Sequence, residues 1–158
     1  WRILPRTHST PLTWPSRKVA LIDGTGLHQS TCAKRAQLQA LCTELQSAFQ
    51  DTHPYAFTTA RVKWAFLTFW SRVFAVPAPV VQCPSAEVVL TECLVPYLDL
   101  FNHHCPPTIQ WHATPGAIAV TVGPRVAVQE GTQLYNSYGA ASTERLLLNY
   151  GFAIPQNR

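Results

Sequence analysis

Two short stretches hold the side chains with chemistry in them. Leu98-Asp99-Leu100-Phe101-Asn102-His103 sets a carboxylate, an amide and an imidazole inside an apolar run. Asn136-Ser137-Tyr138-Gly139 ends a strand-like run with a tyrosine beside a glycine. Polar groups placed in apolar runs need partners, because an unsatisfied buried one costs about 1–3 kcal/mol. Either these groups bond one another in a core, where Tyr138 would also sit as an ordinary core tyrosine, or they hold a ligand.

Two other clusters fall away. His103-His104-Cys105, with His112 nearby, invites a metal, but neighbours on a strand point to opposite faces. The spacing also fits no common zinc pattern, so no metal is expected. A Cys-His nucleophile at Cys105 fails too, since adjacency in sequence is not the geometry that activation needs.

Elements must then position the two stretches. The Leu38, Leu41, Cys42, Leu45, Ala48, Phe49 stripe predicts a helix over 31–50, capped by Ser30 or Thr31. Thr58 caps a second helix over 58–75, apolar almost all round and therefore expected to be buried. Arg72 falls on that helix among Trp70, Val73 and Phe74, where a charge must be paired or bound to an anion. A proline-rich connection, 76–86, marks an internal boundary, after which the chain turns strand-like. Strands are expected at Glu87–Leu90, Ala117–Val122, Arg125–Gln129 and Thr132–Asn136. A last helix, Ser142 to Asn149, has Ser142 as its cap and Gly151 as its stop. Before all of these, Pro5, Pro11 and Pro15 keep residues 1–29 irregular, anchored by Trp1, Leu4, Leu12 and Trp14. Asp23-Gly24-Thr25-Gly26-Leu27 lacks the third glycine and the Lys-Ser/Thr pair of a phosphate loop and reads as a turn.

Composition narrows the classes. Of the 158 residues, 47% are hydrophobic but only 13% charged, about half the usual charged share. With the start at Trp1 and the absence of methionine, this leads us to expect part of a longer chain. Residues 1–72 hold nine Lys/Arg against three Asp/Glu, and 73–158 three against five. No Lys/Arg run exceeds two, so direct nucleic-acid binding is not expected. No apolar run approaches the ~18 residues of a membrane span. Five cysteines without a CxxC pair read as buried thiols of a reducing compartment, so the protein is expected inside the cell, in cytoplasm or nucleus, with an organelle as the alternative.

PYLDLFNHH, EGTQLYNSYG and STERLLLNYGFAIPQN together resemble the C-terminal half of a SET-domain protein methyltransferase. The nearest likeness is to the subgroup with a helical insert, which includes Rubisco large-subunit and actin-histidine methyltransferases. Its pattern reads D-x-x-N-H, then a strand ending in Y-G, then a helix ending in Y-G-F. STPLTWPSRKVALIDGTGL and TFWSRVF resemble that subgroup more loosely. The resemblance implies an α+β fold, a SET-type β fold with a helical insert at about 28–80. Residues 1–86 would be the lead-in and insert, and 87–158 the C-terminal half of the catalytic domain.

It also implies S-adenosyl-L-methionine (SAM) as cofactor and a protein substrate. Asn102 and His103 match the pair that holds the amino-acid end and the adenine. Arg72 matches an arginine that meets the cofactor carboxylate. Tyr138 matches the tyrosine beside the transferring methyl, Tyr150 the aromatic lining a substrate-lysine channel, and Asp99 an acidic contact to the incoming ammonium. The acceptor is expected to be lysine, because Val73-Phe74-Ala75 after Arg72 offers no amide to hold an imidazole. A histidine acceptor and a non-catalytic SET-like binding module are the alternatives. The family's first strands, with their glycine-rich SAM loop, should precede Trp1, so residues 1–158 alone are expected to be inactive. The resemblance fixes no oligomeric state.

Overall fold

The computed structural model describes residues 3–77, 90–114, 117–124 and 126–157. The chain divides into two compact units, one of Trp1–Ser71 with Ala141–Arg158 and one of Arg72–Ala140.

The first unit is helical. Helix α1 (Ser16–Val19) leads through a 3₁₀ turn (Ala20–Ile22) to α2 (Gly26–Ala48), α3 (Thr59–Trp70) and, later in the chain, α4 (Thr143–Tyr150). Helix α2 starts five residues earlier than its stripe implies. Thr25 is the cap, accepting from the His28 amide at 3.1 Å, after a turn at Gly24 with φ +74°. The turn reading of residues 23–27 therefore holds only to Thr25. Thr31, expected as a cap, is fully buried inside the helix and donates back to the Leu27 carbonyl at 2.7 Å. The other caps fall as expected, Thr58 on α3 and Ser142 on α4.

The proline-broken lead-in shows how an irregular segment is held. Prolines donate nothing, so the carbonyls around them need donors from elsewhere. Arg35 of α2 donates through Nη2 to Pro11 O at 2.7 Å and Trp14 O at 2.6 Å. Trp64 of α3 donates to Pro5 O at 2.8 Å. Leu12 is buried with Leu27, Leu67 and Leu148, and a second core joins Leu38, Cys42 and Val62. Leu4 and Trp14 are half-buried, and Trp1 lies outside the described residues.

Helix α3 departs from its expectation twice. It ends at Trp70, so Arg72 lies beyond it, and Val73–Pro77 form strand β1 instead. The apolar period runs on past Ser71, but Val73 and Val76 are β-branched and a partner strand is available. Only Val62, Leu67 and Thr68 of α3 are buried. Leu41, Phe57, Phe66, Phe69 and Trp70 line an apolar groove of about 780 Å³. The all-round stripe thus serves a groove as well as a core.

The second unit is built from short ladders. Strand β1 pairs antiparallel with β2 (Leu90–Leu94), Val73 opposite Leu94. Strand β4 (Ile109–Thr114) pairs antiparallel with β5 (Ala117–Val122), Ile109 opposite Val122. Strand β3 (Asn102–His103) pairs in parallel with β6 (Tyr135–Asn136). The expected strand at Ala117–Val122 forms. Residues 126–129 form none, and the run at 132–136 pairs only over Tyr135–Asn136. Its partner β3 is equally short and begins two residues after the 3₁₀ turn Leu98–Leu100. Residues 87–89 of another expected strand, most of the 76–86 connection, and Cys83 lie outside the described residues.

The thiol expectation needs correction. Cys42 is buried, Cys93 half-buried, and Cys32 and Cys105 are exposed, all four free. Cys32 sits on the outer face of α2, where a helix period of 3.6 turns it from the core. No helix among the described residues is long and apolar enough to cross a membrane. None of their His, Cys, Asp and Glu side chains group to hold a metal ion.

Candidate functional site

The site is built on the segment from Leu98 to His103. A 3₁₀ turn turns Asp99 toward the start of β1, where Arg72 waits. Arg72 Nη1 donates to the Asp99 carbonyl at 2.9 Å and to its carboxylate Oδ2 at 3.1 Å. Both side chains are largely buried, 17% and 13% exposed, which makes the pair a true partnership rather than a solvated encounter. The other edge of the guanidinium is unused. Nε is buried with no acceptor, and Nη2 makes no hydrogen bond among the described residues. Asp99 was expected as a substrate contact; here it first holds Arg72 in place.

Two residues on, the same segment takes hold of Tyr138. The Tyr138 hydroxyl donates to the Phe101 carbonyl at 2.9 Å, and its amide donates to His103 Nδ1 at 3.0 Å. The two rings lie 5.2 Å apart between centroids. An Nδ1 that accepts must carry its ring proton on Nε2 when neutral. Burial lowers the His103 pKa, and the neighbouring His104 lowers it further. The imidazole is therefore held neutral, as an acceptor that fixes the Tyr138 backbone.

The β3–β6 pairing supplies the frame. It sets His103 opposite Asn136, and the His104 amide donates to Asn136 O at 3.0 Å. Asn136 is 3% exposed; its Oδ1 accepts from the Ser137 amide at 2.8 Å. That bond fixes the Asn136 amide at the end of β6, two residues before Tyr138. Its Nδ2 is buried with no acceptor among the described residues. Phe101 and Asn136 are supports whose individual roles sequence reading missed. Phe101 acts through its carbonyl, which leaves no trace in a side-chain pattern.

Asn102 is exposed on β3, and its side chain hydrogen-bonds to no described residue. Tyr150 closes α4 in the first unit, 6.2 Å from the Phe152 ring between centroids. Burial raises its hydroxyl pKa, with Arg145 opposing, so it stays a neutral phenol near pH 7. The structure thus brings together Arg72 with Asp99 and His103 with Tyr138, sets Asn102 beside them in sequence, and leaves Tyr150 in the other unit.

The fold is that of a SET domain. The solved structure of Rubisco LSMT bound to AdoMet matches with a TM-score of 0.72 and 25% identity, over 97% of this chain and 34% of that one. The chain resembles SET-domain lysine methyltransferases in sequence and Rubisco LSMT in fold. Among curated relatives, the ribosomal lysine N-methyltransferase set10 of Schizosaccharomyces pombe is 30% identical over 98% of this chain and 27% of its own length. The N-lysine methyltransferase SETD6 of Bos taurus is 23% identical over 92% of this chain and 33% of its own length. The chain therefore spans about a quarter to a third of the length of these two relatives. No protein-family model matches it.

Proposed function

We propose that the full-length protein is an S-adenosyl-L-methionine-dependent protein-lysine N-methyltransferase. The observation that carries this is the lock of Tyr138 onto Phe101 and His103, since it joins the two separate stretches of the D-x-x-N-H and Y-G pattern. Likeness to proteins named lysine N-methyltransferases and to a structure holding AdoMet supports it.

The donor set fits that cofactor. An Nε–Nη2 edge of a guanidinium is a planar fork that suits a carboxylate, and on Arg72 this edge has no acceptor among the described residues. The exposed Asn102 amide adds a donor and an acceptor. When bound, the cofactor supplies a methyl group on a cationic sulfur.

The chain's own residues do the rest. Asp99 holds Arg72 so that its free edge stays aimed. The Tyr138 hydroxyl donates to Phe101 O, which fixes the direction in which its oxygen would meet the substrate amine. That amine must be neutral to react; a free lysine has a pKa near 10.4, so deprotonation at pH 7 costs roughly 4–5 kcal/mol. A dry surrounding that excludes water would lower that cost by disfavouring the ammonium. Lysine suits the site better than histidine: Val73-Phe74-Ala75 are now seen in strand β1 and carry no amide for an imidazole. The free thiols described favour a reducing compartment, cytoplasm or nucleus.

The test is full-length protein with radiolabelled SAM and a cell lysate, followed by mass spectrometry of the labelled product. Methyl-lysine is expected, lost in Tyr138→Phe, with SAM affinity weakened in Asn102→Ala by calorimetry. Methyl-histidine would change the acceptor. SAM binding without any transfer would favour a binding module.

A further inference from the structure

The first unit holds a second polar concavity that the methyl-transfer reading does not use. It lies between the first half of α2 and the start of α4, and encloses about 330 Å³. Ser30 and Lys34 face it from α2, and Ser142, Glu144, Arg145 and Asn149 from α4 and its cap. Two cations thus share one small cavity.

Neither cation is neutralised there. Lys34 Nζ donates to Asn149 Oδ1 at 3.3 Å and lies 5.9 Å from the centroid of the Trp70 ring. Among the described residues it forms no ion pair, and two of its three N–H donors have no acceptor. The Arg145 guanidinium makes no hydrogen bond or ion pair with any described residue. Burial lowers the Lys34 pKa, and Arg145 lowers it further, so the two positive charges are close enough to oppose each other. The one acid of the cavity, Glu144, makes no ion pair with either cation among the described residues. Glu144 Oε2 lies 3.6 Å from where a Cβ on Gly26 would sit, at the first residue of α2. A carboxylate there meets the positive end of α2 while lying in the first turn of α4.

We propose that this cavity binds a phosphate-class dianion, held between Lys34 and Arg145. Ser142 Oγ accepts from the Arg145 amide at 3.2 Å and keeps its hydroxyl proton to donate. Ser30 offers a second hydroxyl. Lysine as a point charge and arginine as a fork are the two residue types that grip phosphate oxygens. A dianion would also remove the repulsion between them. The phosphate could be free or part of a phosphorylated side chain, and the chemistry of the grip is the same for both.

The test uses the full-length protein with inorganic phosphate, at constant ionic strength set with chloride. Binding is followed by calorimetry and by amide shifts in two-dimensional NMR. Saturable binding with shifts at residues 142–145 is expected. Lys34→Gln and Arg145→Gln should each weaken it about tenfold or more, the size of a lost charge-assisted contact. Lys34→Arg should retain most of the affinity, which separates loss of charge from loss of structure. A phosphoserine peptide is the second arm. Tighter binding of the peptide than of the free ion identifies a phosphorylated side chain, and equal or weaker binding the free ion; both support the site. No saturable binding of either probe, binding unchanged in the double variant K34Q/R145Q, or equal loss in Lys34→Arg and Lys34→Gln would overturn it.

Discussion

The helical unit and the strand unit hold their chains in different ways. In the first, Thr25, Thr58 and Ser142 cap helices whose leucines meet in two small cores. In the second, strands are short, and order comes from polar contacts between distant residues. Arg72 meets Asp99 across 27 positions, and Tyr138 meets His103 and Phe101 across 35 and 37. The first kind of order loses stability when volume or backbone freedom is wrong. The second kind loses it when one partner of a polar pair is taken away.

The sharpest break in the helical unit is Gly151→Ala. Gly151 ends α4 at φ +84°, and its amide donates to Leu146 O and Leu147 O, both at 3.1 Å. A Cβ there would lie 2.6 Å from the Ser9 carbonyl oxygen. Left-handed strain of about 1–2 kcal/mol adds to a backbone clash of about 1–3 kcal/mol. A loss of about 3 kcal/mol in urea unfolding is expected, and a loss under 1 kcal/mol would show that the lead-in moves aside freely.

In the strand unit the matching break is Asp99→Ala. It leaves the Arg72 charge with only a backbone acceptor. Complete burial would make this cost about 3–5 kcal/mol, and the partial exposure here brings the expectation to about 2 kcal/mol. Asp99→Asn, which keeps an acceptor, should cost about 1 kcal/mol. Equal effects from the two substitutions would mean that shape and not charge holds Arg72.

The smallest effect concerns pH. His103 has its pKa lowered in the folded state, by burial first and by His104 second. Between that lowered value and the unfolded value near 6.5, the unfolded chain binds more protons, so stability rises with pH in this window. The stability is fully present above the unfolded value and is lost as pH falls through the folded one. Urea midpoints from pH 7.5 down to 5 should therefore fall more steeply in the parent than in His103→Gln. Parallel slopes would mean that the Tyr138 amide does not depend on a neutral imidazole.

The same contrast explains what could be read in advance. Caps and stops lie within five residues of what they satisfy, so Thr58, Ser142 and Gly151 were legible from spacing alone. Thr25 was missed because Ser30 and Thr31 are equally good caps by type, and two flanking glycines disguise the true start. Strand β4 alternates Ile109, Trp111 and Ala113 inward, a period of two that was there to be found. The Arg72–Asp99 pair was not. Both residues were singled out, but a helix drawn through residue 75 hid the strand that turns one toward the other. The grouping of Asn102, His103 and Tyr138 came from family likeness, since no local rule links residues so far apart.

The groove between α2 and α3 also has a thermal consequence. Its walls are almost wholly hydrocarbon and aromatic, from Leu41 and Leu45 to Phe66 and Trp70. Water ordered along such walls stores heat as it warms, so anything apolar that displaces it must bind with a negative change in heat capacity. The strength of such an association is then set by temperature, with an enthalpy that grows more favourable on warming.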